Sequence, residues 1–192
     1  NILSVQKALD HIGCENTVPS DAAVISSADG AVLPGVGSFG DAMDHLDASG
    51  LVGAVRDFAA SGKPFLGICL GLQVLFDSSE ESPEAHGLSL MQGEVRRFPS
   101  GMGLKIPHIG WNSIAVNPEC PLFKGLSENP YVYFVHSYYL DAADKSVVSA
   151  TAEYGVTFHA AVWKDNVFAT QFHPEKSGSV GLRILRNFAD ML

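Results

Sequence analysis

The sequence predicts an α/β fold, in which a largely parallel sheet carries helices on both faces and an antiparallel extension. Helix-like and strand-like segments alternate through the first half of the chain, the pattern of strands joined by crossover helices. The second half is richer in short β-branched and aromatic segments bounded by turn residues. No repeat, low-complexity tract or long linker interrupts the 192 residues. We therefore expect residues 1–192 to form a single domain.

The elements of the first half follow from apolar spacing and turn residues. The first is a helix ended by Gly13, and its apolar face is formed by Val5, Ala8, Leu9 and Ile12. It is followed by a short strand over residues 31–33, a helix-like stretch over residues 42–60 with a break near Ser49 and Gly50, and a buried strand over residues 65–68.

The second half should contain five short strands and a closing helix. The strands are expected over residues 112–116, 131–135, 147–151, 160–163 and 167–172. Residues 180–192 have the spacing of an amphipathic helix with Ile184, Leu185, Phe188 and Leu192 on one face. These strands supply the antiparallel extension.

Composition excludes several classes of function. The net charge of −9 would repel a phosphate backbone, so no nucleic-acid partner is expected. No apolar run approaches membrane-spanning length, and no membrane association is expected. The three cysteines have no C-x-x-C spacing, which favours free thiols in a reducing, cytoplasmic setting. The histidines show no metal-ligand spacing, so neither a metal nor another cofactor is expected.

The strongest chemical signal is the segment from Gly67 to Gly71, with Cys69 at its centre. It follows an apolar strand and precedes a helix-like stretch, as in the G-x-S-x-G nucleophile elbow. The dipole of that helix would favour a thiolate. The N–H of Leu70, directly after the nucleophile, is positioned for an oxyanion hole. The alternative is a buried structural cysteine between two glycines.

A second signal, His173-Pro174-Glu175, lies about a hundred residues downstream at the end of a predicted strand. His173 can act as a general base towards Cys69, and Glu175 can accept the other imidazole N–H. Alone, this tripeptide would be a surface turn. Paired with a cysteine elbow, it becomes a candidate Cys-His-Glu triad.

A third segment, Gly35-Val36-Gly37, follows the strand at residues 31–33. A glycine-rich turn and a phosphate-binding loop are both possible, but no Lys follows in the Walker pattern, so the nucleotide-binding interpretation is not favoured. Its backbone can instead offer a second oxyanion donor.

Taken together, these segments resemble the class I glutamine amidotransferases, and among them the glutaminase subunits of imidazole glycerol phosphate synthases. The matching pieces are P-G-V-G-S-F from Pro34, G-I-C-L-G-L-Q from Gly67, P-H-I-G-W-N from Pro107, F-V-H-S-Y-Y from Phe134 and Q-F-H-P-E-K-S from Gln171. They stand in family order and cover almost the whole chain. The family opens with a strand before its first helix, and we expect that strand to be missing from this sequence.

The resemblance implies a flavodoxin-like sheet and hydrolysis of glutamine to glutamate and ammonia through a γ-glutamyl thioester. It also implies substrate contacts at Gln73, Glu81, Ser137 and Tyr138. From the residues alone, Glu81 could equally belong to a solvated acidic run, and the pair at 137–138 could be the polar end of a strand. His136 is expected to be a satisfied strand-end histidine outside the catalytic group.

The partner implied by the resemblance is a (β/α)₈ cyclase subunit that forms a heterodimer with this chain and receives its ammonia. Its products would be imidazole glycerol phosphate and aminoimidazole carboxamide ribonucleotide, in histidine biosynthesis. Trp111 is expected at that interface, because aromatic anchors concentrate in interfaces. Three alternatives are open: a glutaminase subunit of an anthranilate, GMP or pyridoxal phosphate synthase, a free-standing thiol hydrolase, and a catalytically silent scaffold.

Overall fold

The computed structural model describes residues 2–192, and a strand preceding the first helix would lie outside them. The helices are α1 (Ile2–His11), α2 (Ala22–Ser27), α3 (Phe39–Ala48), α4 (Val52–Ala60), α5 (Leu70–Gln73) and α6 (Gly178–Ala189). The strands are β1 (Ala31–Gly35), β2 (Phe65–Cys69), β3 (Ser78–Ser79), β4 (Gly93–Arg97), β5 (His108–Ser113), β6 (Ala115–Val116), β7 (Tyr131–His136), β8 (Tyr138–Ala142), β9 (Val148–Glu153), β10 (Thr157–Lys164) and β11 (Val167–Thr170).

The main sheet combines a parallel part with an antiparallel extension. Its order is β1-β2-β11-β10-β8-β4-β3, and β9 pairs with both β10 and β6. The strand β2 runs parallel to β1 and β11, whereas β10 is antiparallel to β11, β8 and β9. A second sheet joins β5 and β7 in antiparallel register. The predicted α/β class and its antiparallel extension are confirmed.

Helices cover both faces of this sheet. On one face, the apolar sides of α1 and α6 pack into a core that includes Leu66, Ile68 and Phe168. On the other face, α3 and α4 pack into a second core with Phe65 and Val167. Strand residues alternate between the two cores because successive side chains point to opposite faces. The sheet is therefore buried on both sides around the carboxyl ends of β2 and β11.

Several sequence predictions are refined by the structure. The helix-like stretch at 42–60 does break at Ser49 and Gly50, giving α3 and α4. The strand predicted at 112–116 is wrong, since β5 and β6 belong to different sheets and separate at Ile114, whose side chain is buried. The closing helix ends at Ala189, so Leu192 lies outside it and is exposed.

The sequence did not reveal α2 or the strands β3, β4 and β8. These are short or lie in polar stretches, and β4 has a burial pattern that brings only Val95 fully into the core. Their apolar periodicity is too weak to detect, and the three strands are formed by pairing with neighbouring strands.

Two further observations concern composition. Cys14, Cys69 and Cys120 are all free thiols, as predicted from their spacing. Within residues 2–192, no helix has both the length and the apolar character needed to cross a bilayer.

Candidate active site

Cys69 stands on a strained turn between β2 and α5. Its φ of 55° and ψ of −109° place a non-glycine residue in a region that L-residues rarely adopt. Two glycines make the turn possible. A Cβ on Gly67 would come within 2.6 Å of the Gly71 carbonyl oxygen, and one on Gly71 would overlap the carbonyl oxygen of Leu33. The predicted elbow is therefore present, and its glycines are required by close backbone approach.

The segment expected to supply a second oxyanion donor lies next to this turn. In the parallel register of β1 and β2, Gly35 is the partner of Cys69. A Cβ on Gly35 would lie 3.0 Å from the Leu70 Cβ and 3.3 Å from the Gly71 nitrogen, so the two segments leave little room for a side chain at Gly35. Val36 is 66% exposed, and Gly37 has a φ of +100°. The structure thus brings together the two backbone segments named for the oxyanion hole, Leu70 and Gly35 to Gly37.

His173 and Glu175 form a buried pair at the carboxyl end of β11. The His173 Nδ1 lies 2.7 Å from the Glu175 Oε1, and the two side chains are only 3% and 1% exposed. The second carboxylate oxygen, Oε2, is buried and has no hydrogen-bond partner among the described residues. The carboxylate charge is therefore directed at the imidazole.

The pKa of His173 depends on hydrogen bonds with both Cys69 and Glu175. Burial alone would lower the pKa of His173, but hydrogen bonds with the Cys69 side chain and with Glu175 outweigh it and raise that pKa to about 9. The imidazole is thus held between a sulfur and a carboxylate. The predicted Cys-His-Glu arrangement is assembled in this structure.

Ser177 fixes the loop that carries His173, a role the sequence reasoning missed. Its hydroxyl donates to the His173 carbonyl oxygen at 2.6 Å and accepts from the Tyr133 N–H at 3.0 Å. The His173 N–H also donates to the Tyr133 carbonyl oxygen at 3.0 Å. The loop is therefore anchored to β7. The only signal in the sequence was the position of Ser177, four residues after His173 in the same motif.

Gln171 is a second residue whose role was missed. It is fully buried, and its Nε2 donates to the Cys69 Sγ at 3.7 Å. Its Oε1 accepts from the Gln73 Nε2 at 3.0 Å, and that same amide donates to the Tyr138 carbonyl oxygen at 3.2 Å. Gln73 therefore lies one hydrogen bond from the partner of the Cys69 sulfur, and its amide nitrogen is used by the chain itself.

The other expected substrate contacts are held by hydrogen bonds to neighbouring segments. Glu81 is part-buried, and its Oε2 accepts the Phe39 N–H at 3.0 Å, so it caps the first turn of α3. Ser137 lies at the bend between β7 and β8, and its carbonyl oxygen accepts the Phe98 N–H at 3.2 Å. Tyr138 begins β8 and reaches the site through its carbonyl oxygen.

An exposed apolar surface lies beside the His173 loop on the second sheet. Ile109 and Trp111 on β5 are 60% and 57% exposed, and Tyr131 on β7 is 61% exposed. The Trp111 ring packs edge-on against Tyr133 and stands 3.8 Å from the position of a Cβ on Gly178. Large exposed aromatic and aliphatic side chains in one patch are typical of protein interfaces.

A family model described as glutamine amidotransferase class-I matches residues 3–192 of this chain. That match includes the elbow and the His173 loop. The chain belongs to the class-I glutamine amidotransferases.

Curated relatives of high identity are named imidazole glycerol phosphate synthase subunit HisH. The chain is 55% identical to the protein from Syntrophotalea carbinolica, 52% to that from Methanosarcina barkeri and 48% to that from Moorella thermoacetica. The alignments cover all of this chain and 95%, 94% and 90% of those proteins. The resemblance stated from the sequence motifs is confirmed.

Solved structures support the fold at much lower identity. A glutamine amidotransferase crystal structure superposes with a TM-score of 0.77 at 20% identity, covering 100% of this chain and 93% of that one. The glutaminase domain of CTPS from Trypanosoma brucei, with bound acivicin, gives a TM-score of 0.68 at 18% identity and coverages of 99% and 88%. These matches confirm the flavodoxin-like amidotransferase fold.

Proposed function

We propose that this chain hydrolyses glutamine to glutamate and ammonia through a γ-glutamyl thioester on Cys69. The observation that carries the proposal is the contact of Cys69, on its strained elbow, with a buried His173 that Glu175 holds at 2.7 Å. A nucleophile, a base and a group that orients the base are the parts that acyl transfer requires.

The first half of the reaction forms the thioester. Because Nδ1 of His173 faces Glu175, the other ring nitrogen takes the Cys69 thiol proton. The thiolate attacks the side-chain amide carbon of glutamine and gives a tetrahedral oxyanion. The imidazolium then donates its proton to the departing nitrogen, and the C–N bond breaks to release ammonia. The carboxylate of Glu175 stabilises the imidazolium in this interval.

The second half restores the thiol. His173 removes a proton from a water molecule, and the resulting hydroxide attacks the thioester carbon. The C–S bond breaks, glutamate leaves, and the proton held by His173 returns to the Cys69 sulfur. Water is consumed and no oxidant, reductant or metal enters this balance.

Backbone N–H groups would stabilise the oxyanion in both halves. The donors are the N–H of Leu70 and an N–H from the Gly35 to Gly37 segment, which lie together because Gly35 pairs with Cys69. Losing one such donor typically costs about 3 kcal/mol of barrier height. The exposed Val36 peptide, flanked by two glycines, can rotate to present or withdraw its N–H, which would make the glutaminase activity conditional on a partner.

The substrate would lie between α3, α5 and the bend before β8. We assign the Glu81 carboxylate to the α-ammonium group and the Ser137–Tyr138 backbone to the α-carboxylate. The Gln73 side chain contributes its carbonyl oxygen, because its amide nitrogen already donates to Tyr138 and Gln171.

The ammonia would pass to a cyclase subunit, a (β/α)₈ barrel, which makes imidazole glycerol phosphate and aminoimidazole carboxamide ribonucleotide in histidine biosynthesis. The names of the curated relatives support this partner. A dry route between subunits has a physical purpose, because free ammonia would be protonated and lost to water. The exposed surface of Ile109, Trp111 and Tyr131 is the surface we assign to the partner.

The experiment compares two nitrogen sources. With the cyclase subunit and its nucleotide present, Cys69→Ala should abolish glutamine-dependent synthesis while ammonia-dependent synthesis continues. Loss of both activities would contradict a role confined to ammonia supply. Stimulation of glutaminase activity by an anthranilate, GMP or pyridoxal phosphate synthase subunit, but not by the cyclase, would redirect the assignment to another pathway.

A further inference from the structure

Two buried histidines, His108 on β5 and His136 on β7, face each other beneath the active site. The His108 Nδ1 lies 2.9 Å from the His136 Nε2, and the residues are 3% and 6% exposed. The His136 Nδ1 lies 2.8 Å from the carbonyl oxygen of Tyr138. On the far side, the His108 Nε2 is 3.4 Å from the Asn112 Nδ2. No step of the proposed reaction uses either ring.

Hydrogen-bond chemistry fixes the proton on each ring. A carbonyl oxygen only accepts, so His136 must carry its proton on Nδ1, and its Nε2 accepts from the Nδ1–H of His108. The His108 Nε2 is then an acceptor, and Asn112 Nδ2 supplies the donor. That amide is oriented independently, because its nitrogen also donates to the Glu153 carbonyl oxygen at 2.9 Å and its oxygen accepts the Ser113 N–H at 2.9 Å. Both rings are satisfied as neutral tautomers.

The surroundings of the pair are aromatic. Tyr154 stacks on His108 at 3.9 Å between ring centroids, and Phe98 and Phe158 each lie 5.1 Å from the His136 ring. The ionisable groups that face the pair are His173 and Tyr154, and Tyr139 packs behind Phe98 and Phe158. Because none of them is a carboxylate and both rings are buried, the pKa of His108 is lowered to about 4 and that of His136 to about 3.

The inner end of the pair leads to the catalytic sulfur. The Tyr138 carbonyl oxygen that accepts from His136 also accepts from Gln73 Nε2 at 3.2 Å. The second hydrogen of that amide goes to Gln171 Oε1 at 3.0 Å, and Gln171 Nε2 donates to the Cys69 Sγ at 3.7 Å. Donors and acceptors therefore match along an unbroken chain from Asn112, on the strand of the exposed Trp111, to the nucleophile.

We propose that His108 and His136 are positioning residues of the glutaminase site. They fix the Tyr138 carbonyl, which holds the Gln73 amide, and Gln73 in turn aims the Gln171 N–H at the sulfur. This inference rests on the proposed function and extends it to two residues outside the Cys-His-Glu group. An N–H donor on the sulfur stabilises the negative charge that Cys69 carries before attack. A Tyr138 carbonyl that loses its histidine partner would release Gln73, and Gln171 would then no longer be held on Cys69.

Two amide variants separate this role from a packing role. In His136→Asn, the amide nitrogen can occupy the place of Nδ1 and keep the bond to Tyr138. In His136→Gln, the side chain is closer to histidine in volume, but its amide reaches His108 and leaves the Tyr138 carbonyl without that donor. Positioning therefore predicts that Asn preserves function better than Gln, and packing predicts the reverse.

The first readout is the rate at which iodoacetamide alkylates Cys69 in the isolated chain, followed on the Cys69 peptide by mass spectrometry at several pH values. The second is kcat and KM of glutaminase activity with the cyclase present. For His136→Gln we expect both the alkylation rate and kcat to fall on the order of tenfold, with KM changed little. This magnitude corresponds to the loss of about one buried hydrogen bond. His136→Asn should stay within about threefold of the unmodified chain.

The matched control is Phe158→Leu, which loosens the same aromatic surroundings without touching the chain of donors. It should lower thermal stability but leave the alkylation rate of Cys69 unchanged. Imidazole ¹⁵N spectra should report His136 as the Nδ1–H tautomer. Equal rates for the two amide variants, a faster rate for Gln than for Asn, or an Nε2–H tautomer at His136 would overturn the inference. Absence of glutaminase activity in the unmodified complex would instead contradict the proposed function, and the alkylation rates would still test the positioning role.

Discussion

Replacing Glu175 with glutamine tests how the structure supports His173. The change keeps the shape of the side chain and removes its charge. In one orientation the amide oxygen still accepts from the His173 Nδ1–H, but the NH₂ group then takes the place of Oε2, where no hydrogen-bond partner exists among the described residues. In the other orientation the NH₂ group faces Nδ1 and forces the wrong imidazole tautomer. We therefore expect both orientations to slow glutamine hydrolysis.

The size of the effect follows from the pKa of His173. A rise from 6.5 to about 9 corresponds to roughly 3 kcal/mol in favour of the imidazolium, supplied against burial by Cys69 and Glu175 together. If Glu175 supplies about half of this, its loss removes about 1.5 kcal/mol. A buried amide without a partner adds about 1–3 kcal/mol. The barrier should therefore rise by about 2.5–4.5 kcal/mol, and kcat should fall roughly 10²–10³-fold.

The assay is glutaminase kcat in the presence of the cyclase, together with an NMR titration of the His173 ring in the isolated chain. Glu119→Gln is the matched control, because it makes the same chemical change at an exposed position and should alter neither quantity. The pKa of His173 should fall in Glu175→Gln. An unchanged pKa with kcat within about threefold of the unmodified chain would refute this reading of the pair.

Three further predictions concern the elbow, the buried histidines and the exposed surface. Gly71→Ala should prevent the elbow from forming, because a Cβ there would overlap a backbone oxygen of β1. Chemical denaturation should then show a free energy of unfolding lower by more than about 3 kcal/mol. The control Gly53→Ala, in open space on α4, should instead raise the free energy of unfolding by about 0.5–1 kcal/mol. The pKa values of His108 and His136 lie below 6.5 in the folded chain, so the unfolded chain binds more protons between pH 6.5 and about 4. The free energy of unfolding should therefore fall as the pH falls through this range, by about 1.4 kcal/mol per pH unit for each histidine. A flat profile, or one unaltered by replacing both rings with phenylalanine, would contradict the neutral pair. Trp111→Ala should weaken cyclase binding by more than about 2 kcal/mol in calorimetry while leaving thermal unfolding of the isolated chain unchanged, and undiminished affinity would place the interface elsewhere.

The sequence predicted best those elements whose structure depends on local periodicity or on a short motif. The apolar faces of α1 and α6 and the strand before Cys69 follow from periodicity, and the grouping of Cys69, His173 and Glu175 follows from motifs at strand ends. The strands β4 and β8 escaped detection because long-range pairing, not their own composition, makes them strands. The separation of β5 and β6 into two sheets at Ile114 could not be predicted either, because the local sequence does not determine which strand each one pairs with.

The residues that support Cys69 and His173 were harder to predict than the grouping of Cys69, His173 and Glu175. Gln171 and Ser177 were visible in the sequence as members of a motif, but their roles depend on contacts with Cys69 and Tyr133. Glu81 was expected to face substrate, and the structure adds that one of its oxygens caps α3. Such contacts join residues far apart in the chain, so the spacing of residues in the sequence does not predict them.

The most direct test of a nucleophilic Cys69 is its labelling by a glutamine analogue that carries an electrophile in place of the side-chain amide. The complex with the cyclase and its nucleotide should be incubated with the analogue, and the modified residue identified by peptide mass spectrometry. We expect one covalent adduct on Cys69, with Cys14 and Cys120 unmodified, and a rate that falls when glutamine competes. An unmodified Cys69 in the active complex would contradict the mechanism.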